Sequence, residues 1–274
     1  MAETCYRHPD RETRVSCSSC GRPICPDCMT PTPVGMRCPE CMNQQRTKVV
    51  RNPGAPRAGF WGSPATFVLI AINVAVYLLE ISGGSGGLGE QRGQIVVDLG
   101  LFGPSVAEGE WYRLITSGFI HGNLLHIGFN MLLLFLLGRM IEPALGTPRF
   151  LLLYFSSLLA GSFAVLLIDP NALTYGASGA VFGLFGAGFI LARNRGMDAL
   201  AGQLGLLLVI NLVFSFRPGV SIGGHVGGLV GGLICAFVII AGERGKLGPN
   251  HRVAEYAVMG AVAVISVVGA IVVA

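Results

Sequence analysis

One serine lies in a glycine-rich stretch that offers the surroundings a nucleophilic hydroxyl requires. Ser178 is near the start of a run of residues that carries no charge until Arg193. If that run forms a helix, Ser178 is close to its N-terminus, where free amide groups and the helix dipole favour a nearby negative charge. A serine nucleophile also needs a general base, and His225, in a second glycine-rich run, is the candidate. A lone hydroxyl in an apolar helix usually bonds to its own helix backbone, so Ser178 by itself does not predict a catalytic site.

Further polar residues interrupt apolar runs and could support that chemistry. His126 and Asn130 are four residues apart, so on a helix they share one face. His121 points elsewhere, and we expect it to support the site by hydrogen bonding. Any one of the histidines could instead be a satisfied core group or a polar contact between helices. Three of these polar residues lie near the outer ends of their predicted spans, so all three fall in the outer half of a bilayer: His126, Ser178 and His225. This common depth favours one polar cavity that they share.

Seven of the eight cysteines lie in residues 1–42, in pairs that are typical of metal ligands. Two residues separate the members of each pair, and the potential ligands are Cys5, His8, Cys17, Cys20, Cys25, Cys28, Cys38 and Cys41. This set suffices for two tetrahedral, structural zinc ions. Cys20 and Cys25 are close in sequence, which favours an interleaved arrangement with Cys5, His8, Cys25 and Cys28 on one ion. Two or more disulfides are the alternative interpretation.

The cysteine spacing resembles that of B-box-type zinc fingers, which implies an interaction module with a cytoplasmic protein partner. Such a short domain buries little apolar surface, so metal binding would supply much of its folding free energy. Residues 43–62 follow it and are rich in Gln, Arg, Lys, Pro and Gly, which predicts a flexible linker.

The rest of the chain has the composition of a helical membrane protein. Of its 274 residues, 52% are hydrophobic and 12% are charged, which is too apolar for a soluble domain. We predict an all-α polytopic membrane protein with a six-helix core in residues 63–241, and a loop and seventh transmembrane helix in 242–274. The hydrophobic runs lie near 63–79, 116–137, 150–168, 176–192, 199–216, 220–241 and 256–274. A long loop, glycine-rich at 83–89, separates the first two.

The basic residues predict the orientation of this protein in its membrane. With a cytoplasmic N-terminus, all of the 19 lysines and arginines except Arg92, Arg113 and Arg217 lie on the cytoplasmic side. This is the positive-inside pattern, and it accounts for the net charge of +4, so we expect no nucleic-acid partner. The reducing cytoplasm also suits zinc thiolates. We therefore expect a multi-pass protein of a bacterial cell membrane.

Glycines in the run that contains His225 predict close helix packing. Gly224, Gly228 and Gly232 recur every four residues and form a face that a second helix can approach closely. Against the small residues of the Ser178 helix, that face would bring His225 to the serine.

A dyad is the expected catalytic unit, because no acidic residue falls inside a predicted span at the same depth. Glu80, Glu142 and Asp169 are all at the ends of predicted spans. Ser178 would be the nucleophile and His225 the general base and then acid. Phe182, one turn after the serine, could stack on the imidazole and hold its orientation.

Four motifs occur in order along residues 63–241. They are EWYRL at 110–114, HGNLLHIGFN at 121–130, GASG at 176–179 and GHVGG at 224–228. Together they resemble the rhomboid family of intramembrane serine proteases. The resemblance implies a six-helix core in which Ser178 and His225 are the catalytic dyad.

The same resemblance implies further roles and a substrate class. His126 and Asn130, with the backbone amide of Ser178, would form an oxyanion hole, and Trp111 and Arg113 would belong to a membrane-dipping first loop. Substrates would be single-span transmembrane proteins, cleaved within the lipid bilayer in or near their membrane-spanning segments. An inactive rhomboid-like scaffold that binds client helices is the main alternative. A transporter is a weaker one, because the polar groups line only the outer half of the membrane.

Overall fold

The computed structural model describes residues 3–44, 62–82 and 93–274. The chain forms two compact units, Met1–Ala55 and Pro56–Ala274. The predicted linker 43–62 falls almost wholly outside the described residues, and so do the glycine-rich segment 83–89 and Arg92.

The N-terminal unit is a small domain whose buried residues are mostly cysteines. It contains two antiparallel strand pairs, a 3-10 turn at Pro26–Cys28 and a short helix. Ile24 is fully buried beside six buried cysteine side chains, and little other apolar material fills the centre. The elements are β1 (Glu3–Cys5), β2 (His8–Thr13), β3 (Thr30–Thr32), β4 (Gly35–Arg37) and α1 (Pro39–Gln44).

The second unit is helical, as the sequence predicts. Each of the seven hydrophobic runs corresponds to a helix, and five helices in the described part of the chain are long and apolar enough to cross a membrane. The other two, α8 and α9, have 17 residues each. The long helices are α2 (Pro64–Ser82), α6 (Leu124–Leu145), α7 (Thr147–Ile168), α8 (Ser178–Asn194), α9 (Asp198–Phe214), α10 (Ile222–Glu243) and α11 (His251–Val273).

The segment between α2 and α6 differs from its prediction. Residues 95–106 were expected to form a loop, yet they contribute to two short helices, α3 (Gln94–Leu99) and α4 (Gly103–Ala107). The run that begins at 116 starts with α5 (Arg113–Thr116) and a 3-10 turn, and α6 begins only at Leu124. Asn123 caps α6, because its side chain accepts a hydrogen bond from the His126 N–H at 2.9 Å. His121 therefore lies before this helix rather than on it.

Glycines allow α8 and α10 to approach until their backbones touch. A Cβ atom at Gly228 would overlap the carbonyl group of Gly179, and one at Gly232 would overlap that of Gly183. On the adjacent face of α10, a Cβ atom at Gly227 would lie 2.5 Å from the carbonyl oxygen of Ala160 on α7. Helix α10 is thus held between α7 and α8, and its first turn lies beside the first turn of α8. The glycine spacing predicts the contact with α8 but not the one with α7.

Two buried acidic residues connect the outer helices to this core. Glu142 on α6 accepts hydrogen bonds from the backbone N–H groups of Ala65 and Thr66, at 2.9 and 2.8 Å, so it caps the first turn of α2. Glu255 on α11 is fully buried and forms an ion pair with Arg149 on α7. Such pairs compensate charges that would otherwise be costly in an apolar environment.

The contact between α8 and α10 predicts a large effect of one methyl group. Gly228→Ala should lower the thermal unfolding midpoint in detergent by roughly 5 °C, because the methyl group forces the two backbones apart. Gly260→Ala is the matched control, since a Cβ atom there meets nothing within 4 Å and alanine favours the helix. Equal midpoints for the two variants would contradict this account of the helix contact.

Candidate functional site

Ser178 and His225 are in hydrogen-bonding contact. Ser178 is the first residue of α8, so its backbone N–H has no partner within the helix. His225 is in the first turn of α10, and its Nε2 atom lies 2.8 Å from the Ser178 Oγ atom. The glycine contact between the two helices sets this distance. The imidazole is 9% exposed, so it is largely shielded from its surroundings.

The imidazole of His225 is held on its other sides by a ring and a hydroxyl. Phe182 stacks on it with the ring centroids 4.1 Å apart and the planes 15° apart. The Nδ1 atom lies 2.6 Å from the Oγ atom of Ser215, which directly follows the last residue of α9. The sequence does not distinguish Ser215, because it is not ionisable and a serine at a helix end is common. Its only signal was its position ten residues before His225.

His126 lies close to Ser178, beside Gly176. Its Nε2 atom would be 2.7 Å from a Cβ atom at Gly176, and the Ser178 Oγ atom would be 3.8 Å from the same point. Gly176 has a φ of +125°, a conformation that glycine adopts without strain. The absence of a side chain at Gly176 therefore leaves room for the imidazole of His126 beside the serine.

Asn130 shares a face of α6 with His126, as the spacing predicts. Its side chain is buried, and its Nδ2 atom donates to the backbone carbonyl of His126 at 3.0 Å. An amide nitrogen carries two hydrogens, so this bond leaves one donor for another acceptor.

His121 contributes a ring contact and a backbone hydrogen bond. It is fully buried, and its ring centroid is 4.9 Å from that of His126 in an edge-on arrangement. Within the described residues, its two ring nitrogens have no hydrogen-bond partner. Its backbone N–H donates to the carboxylate of Glu80 at 3.2 Å. Glu80, expected only at the end of a span, is fully buried on α2. Its bond to the His121 N–H fixes the chain segment just before α6.

The first-loop residues have contrasting positions. Trp111 is exposed, whereas Arg113 is buried and donates to the carbonyl oxygens of Val97 and Gly100 at 2.6 and 2.8 Å. Arg113 therefore binds α5 to the C-terminal end of α3.

The N-terminal unit brings its eight potential ligands together in two clusters. The clusters are interleaved as the sequence predicts, with Cys5, His8, Cys25 and Cys28 in one and Cys17, Cys20, Cys38 and Cys41 in the other. In each cluster all ligand atoms lie within 4.8 Å of one another.

The spacing within these clusters fits a tetrahedral metal site. Zinc–sulfur bonds of about 2.3 Å place two sulfurs of a tetrahedron roughly 3.8 Å apart. The Sγ atoms of Cys20 and Cys38 are 3.7 Å apart, and Cys25 Sγ is 3.3 Å from His8 Nδ1. Burial and the nearby sulfurs of Cys25 and Cys5 raise the pKa of the Cys28 thiol to about 11. A divalent cation would stabilise the thiolates at this spacing.

Comparison with known proteins identifies the family of the helical unit. Residues 108–242 match the family model of the Rhomboid domain. This range contains α6–α9 and all of α10 except its last residue, and it includes Ser178, Ser215 and His225. The chain therefore contains a Rhomboid domain, in agreement with the resemblance of its four motifs.

Curated relatives agree with this assignment. The chain is 34% identical over 171 residues to "Rhomboid protease GluP" of Bacillus subtilis (strain 168), which covers 60% of this chain and 32% of the relative. It is 35% identical over 144 residues to "RHOMBOID-like protein 5" of Arabidopsis thaliana, covering 49% of this chain and 46% of the relative. The matched part thus spans less than half of the length of either relative.

Proposed function

We propose that this chain is an intramembrane serine endopeptidase with Ser178 as its nucleophile and His225 as its general base. The observation that carries the proposal is the 2.8 Å contact between Ser178 Oγ and His225 Nε2. It occurs at the start of a helix, within a protein that has five membrane-length helices in its described part. Rhomboid relatives that are named proteases support the same reading.

The two side chains can carry out peptide hydrolysis in two stages. In the first, His225 Nε2 takes the Ser178 hydroxyl proton while Oγ bonds to the scissile carbonyl carbon. The C–N bond then breaks, and Nε2 gives the proton to the leaving amine, which leaves an acyl ester on Ser178. In the second, His225 takes a proton from water as the water oxygen attacks the ester. The proton then returns to Ser178 Oγ, and the carboxylic acid product is released.

The oxyanion formed in each stage requires donors that are in place beforehand. The backbone N–H of Ser178, the imidazole of His126 and the free amide hydrogen of Asn130 are the donors that we propose. Two observations support these donor roles. His126 lies beside Gly176 and Ser178, and the side chain of Asn130 donates one bond to its own helix, which leaves its second amide hydrogen for the oxyanion.

The proposed substrates are single-span membrane proteins, cut in or near their membrane-spanning segments. A site formed at the ends of membrane helices reaches peptide bonds that soluble proteases do not. We also propose that the N-terminus is cytoplasmic, on the basis of the basic-residue distribution.

We further propose that the cysteine clusters hold two structural zinc ions. Every ligand is a protein side chain, which leaves no open position for a reacting water. The N-terminal domain would then act as a binding module for a cytoplasmic protein.

A fluorophosphonate probe should label this protein at Ser178 and nowhere else. Ser178→Ala should lose labelling and proteolysis of a single-span substrate while keeping the wild-type unfolding midpoint. Mass spectrometry of the labelled peptide identifies the modified residue. A folded wild-type protein that neither reacts with the probe nor cuts any substrate would support an inactive scaffold instead.

Asn130→Ala should lower kcat on the order of 10²–10³-fold with little change in KM, because the lost bond forms mainly in the transition state. Probe labelling of Ser178 should remain detectable. Asn73→Ala is the matched control, since the buried Asn73 makes the same backward bond on α2, to Leu69 at 2.8 Å. If both variants cleave at the wild-type rate, Asn130 serves only to stabilise its helix.

Metal analysis of the purified protein should give two zinc ions per chain. Cys28→Ser should reduce the content to one, because it disrupts one cluster only, whereas Cys235→Ala should leave it at two, since Cys235 is on α10. Chelation should leave probe labelling of Ser178 intact, as expected for structural ions. A zinc-free wild-type protein would refute the proposed occupancy.

A further inference from the structure

We infer that Ser215 is a positioning residue for His225, which fixes the tautomer and orientation of the imidazole. The inference rests on the proposed function of the Ser178–His225 pair. It assigns to a neutral hydroxyl the place that a carboxylate has in a serine–histidine–aspartate triad.

The hydrogen bonds around Ser215 determine which nitrogen of His225 carries the proton. The Ser215 Oγ atom has two neighbours, His225 Nδ1 at 2.6 Å and the backbone carbonyl oxygen of Asn211 at 3.0 Å. A carbonyl oxygen only accepts hydrogen bonds, so the contact with Asn211 is a hydrogen bond only when the single hydroxyl proton of Ser215 points towards it. The Oγ atom then accepts a bond from a protonated Nδ1.

This arrangement leaves Nε2 unprotonated and facing Ser178. The Ser178 hydroxyl can then donate to Nε2, and three side-chain hydrogen bonds are made along the row from Ser178 to Asn211. If the Ser215 proton pointed to Nδ1 instead, the bond to the Asn211 carbonyl would be lost. Nε2 would then carry the proton and could not act as a base. The favoured tautomer, with the proton on Nδ1, is thus the one in which Nε2 can accept the Ser178 proton.

Ser215 can hold the imidazole because it is itself fixed. Its side chain is 1% exposed, and its backbone N–H donates to the carbonyl oxygens of Asn211 and Leu212, both at 3.1 Å. Helix α9, which ends just before it, lies against α8, the helix that carries Ser178 and Phe182. The hydroxyl, the nucleophile and the stacking ring therefore converge on His225 from a common framework.

A neutral acceptor also suits the position in a membrane. A carboxylate at this point would have to be desolvated beside a histidine that is neutral in the resting state, which is costly. A hydroxyl supplies the acceptor without that cost, although it stabilises the imidazolium less than a negative charge would. Ser215 should therefore have a moderate effect on catalysis.

The test compares Ser215→Ala with Ser266→Ala. Ser266 on α11 is also buried and also donates to a carbonyl four residues back, that of Val262 at 2.7 Å, so the two changes remove the same local bond. Only Ser215 contacts a histidine. Ser215→Ala should lower kcat on the order of tenfold, the effect of one lost hydrogen bond, with KM unchanged. Ser266→Ala should leave both at wild-type values, and Ser215→Thr, which keeps a hydroxyl, should recover most of the lost kcat.

A second measurement reads the tautomer without reference to activity. Nitrogen NMR of the full-length protein labelled at histidine nitrogens should show His225, assigned by its loss in His225→Ala, protonated at Nδ1. Ser215→Ala should shift it towards a mixture of the two tautomers, and Ser266→Ala should not. If Ser215→Ala does not fold, Ser215→Cys, which offers a poor acceptor of similar size, replaces it.

The outcomes separate this inference from the proposed function. A Ser215→Ala protein whose kcat and His225 tautomer match those of Ser266→Ala overturns the inference. A wild-type protein that the probe never labels at Ser178 overturns the proposed function, while the tautomer comparison still decides the role of Ser215.

Discussion

The direct contact between the backbones of α8 and α10 is the interaction on which the candidate site depends. Gly228 and Gly232 face Gly179 and Gly183 so closely that no side chain fits between them. Apolar side chains gain little by leaving lipid for a helix interface, so membrane helices associate by close packing and by polar contacts. Any larger residue along this seam would separate the first turns of the two helices, and the 2.8 Å contact between Ser178 and His225 would be lost with them.

The buried polar groups of the helical unit follow one physical rule, which is that each charge is placed where it can be compensated. Glu142 and Glu80 accept from backbone N–H groups, and Glu255 pairs with Arg149. Among the described residues, the groups between Ser178 and Ser215 include no carboxylate. In the proposed mechanism, charge separation would therefore develop only in the transition state, where the proposed donors would meet it.

Much of this arrangement could be predicted from the sequence, because helix period and glycine spacing are local signals. The seven hydrophobic runs, the glycine face around His225 and the interleaved cysteine pairs are examples. The roles of Ser215 and Glu80 could not be predicted in this way, since each contacts a residue on a different element. His121 was placed on a helix because its surroundings are apolar, whereas the cap at Asn123 starts that helix later. The roles of Ser178, His225, His126 and Asn130 stay predictions that activity measurements must test.

The position of the site also follows from the order of the helices. A connection of only a few residues joins α8 to α9, and another short one joins α9 to α10, so successive helices run in opposite directions. The beginning of α8, the end of α9 and the beginning of α10 must then lie on the same side of the unit. Ser178, Ser215 and His225 occupy these three points. A hydroxyl just beyond the last residue of α9 can therefore reach Nδ1 while Nε2 faces the serine. The topology that assembles the Ser178–His225 pair also supplies the place from which the imidazole can be oriented.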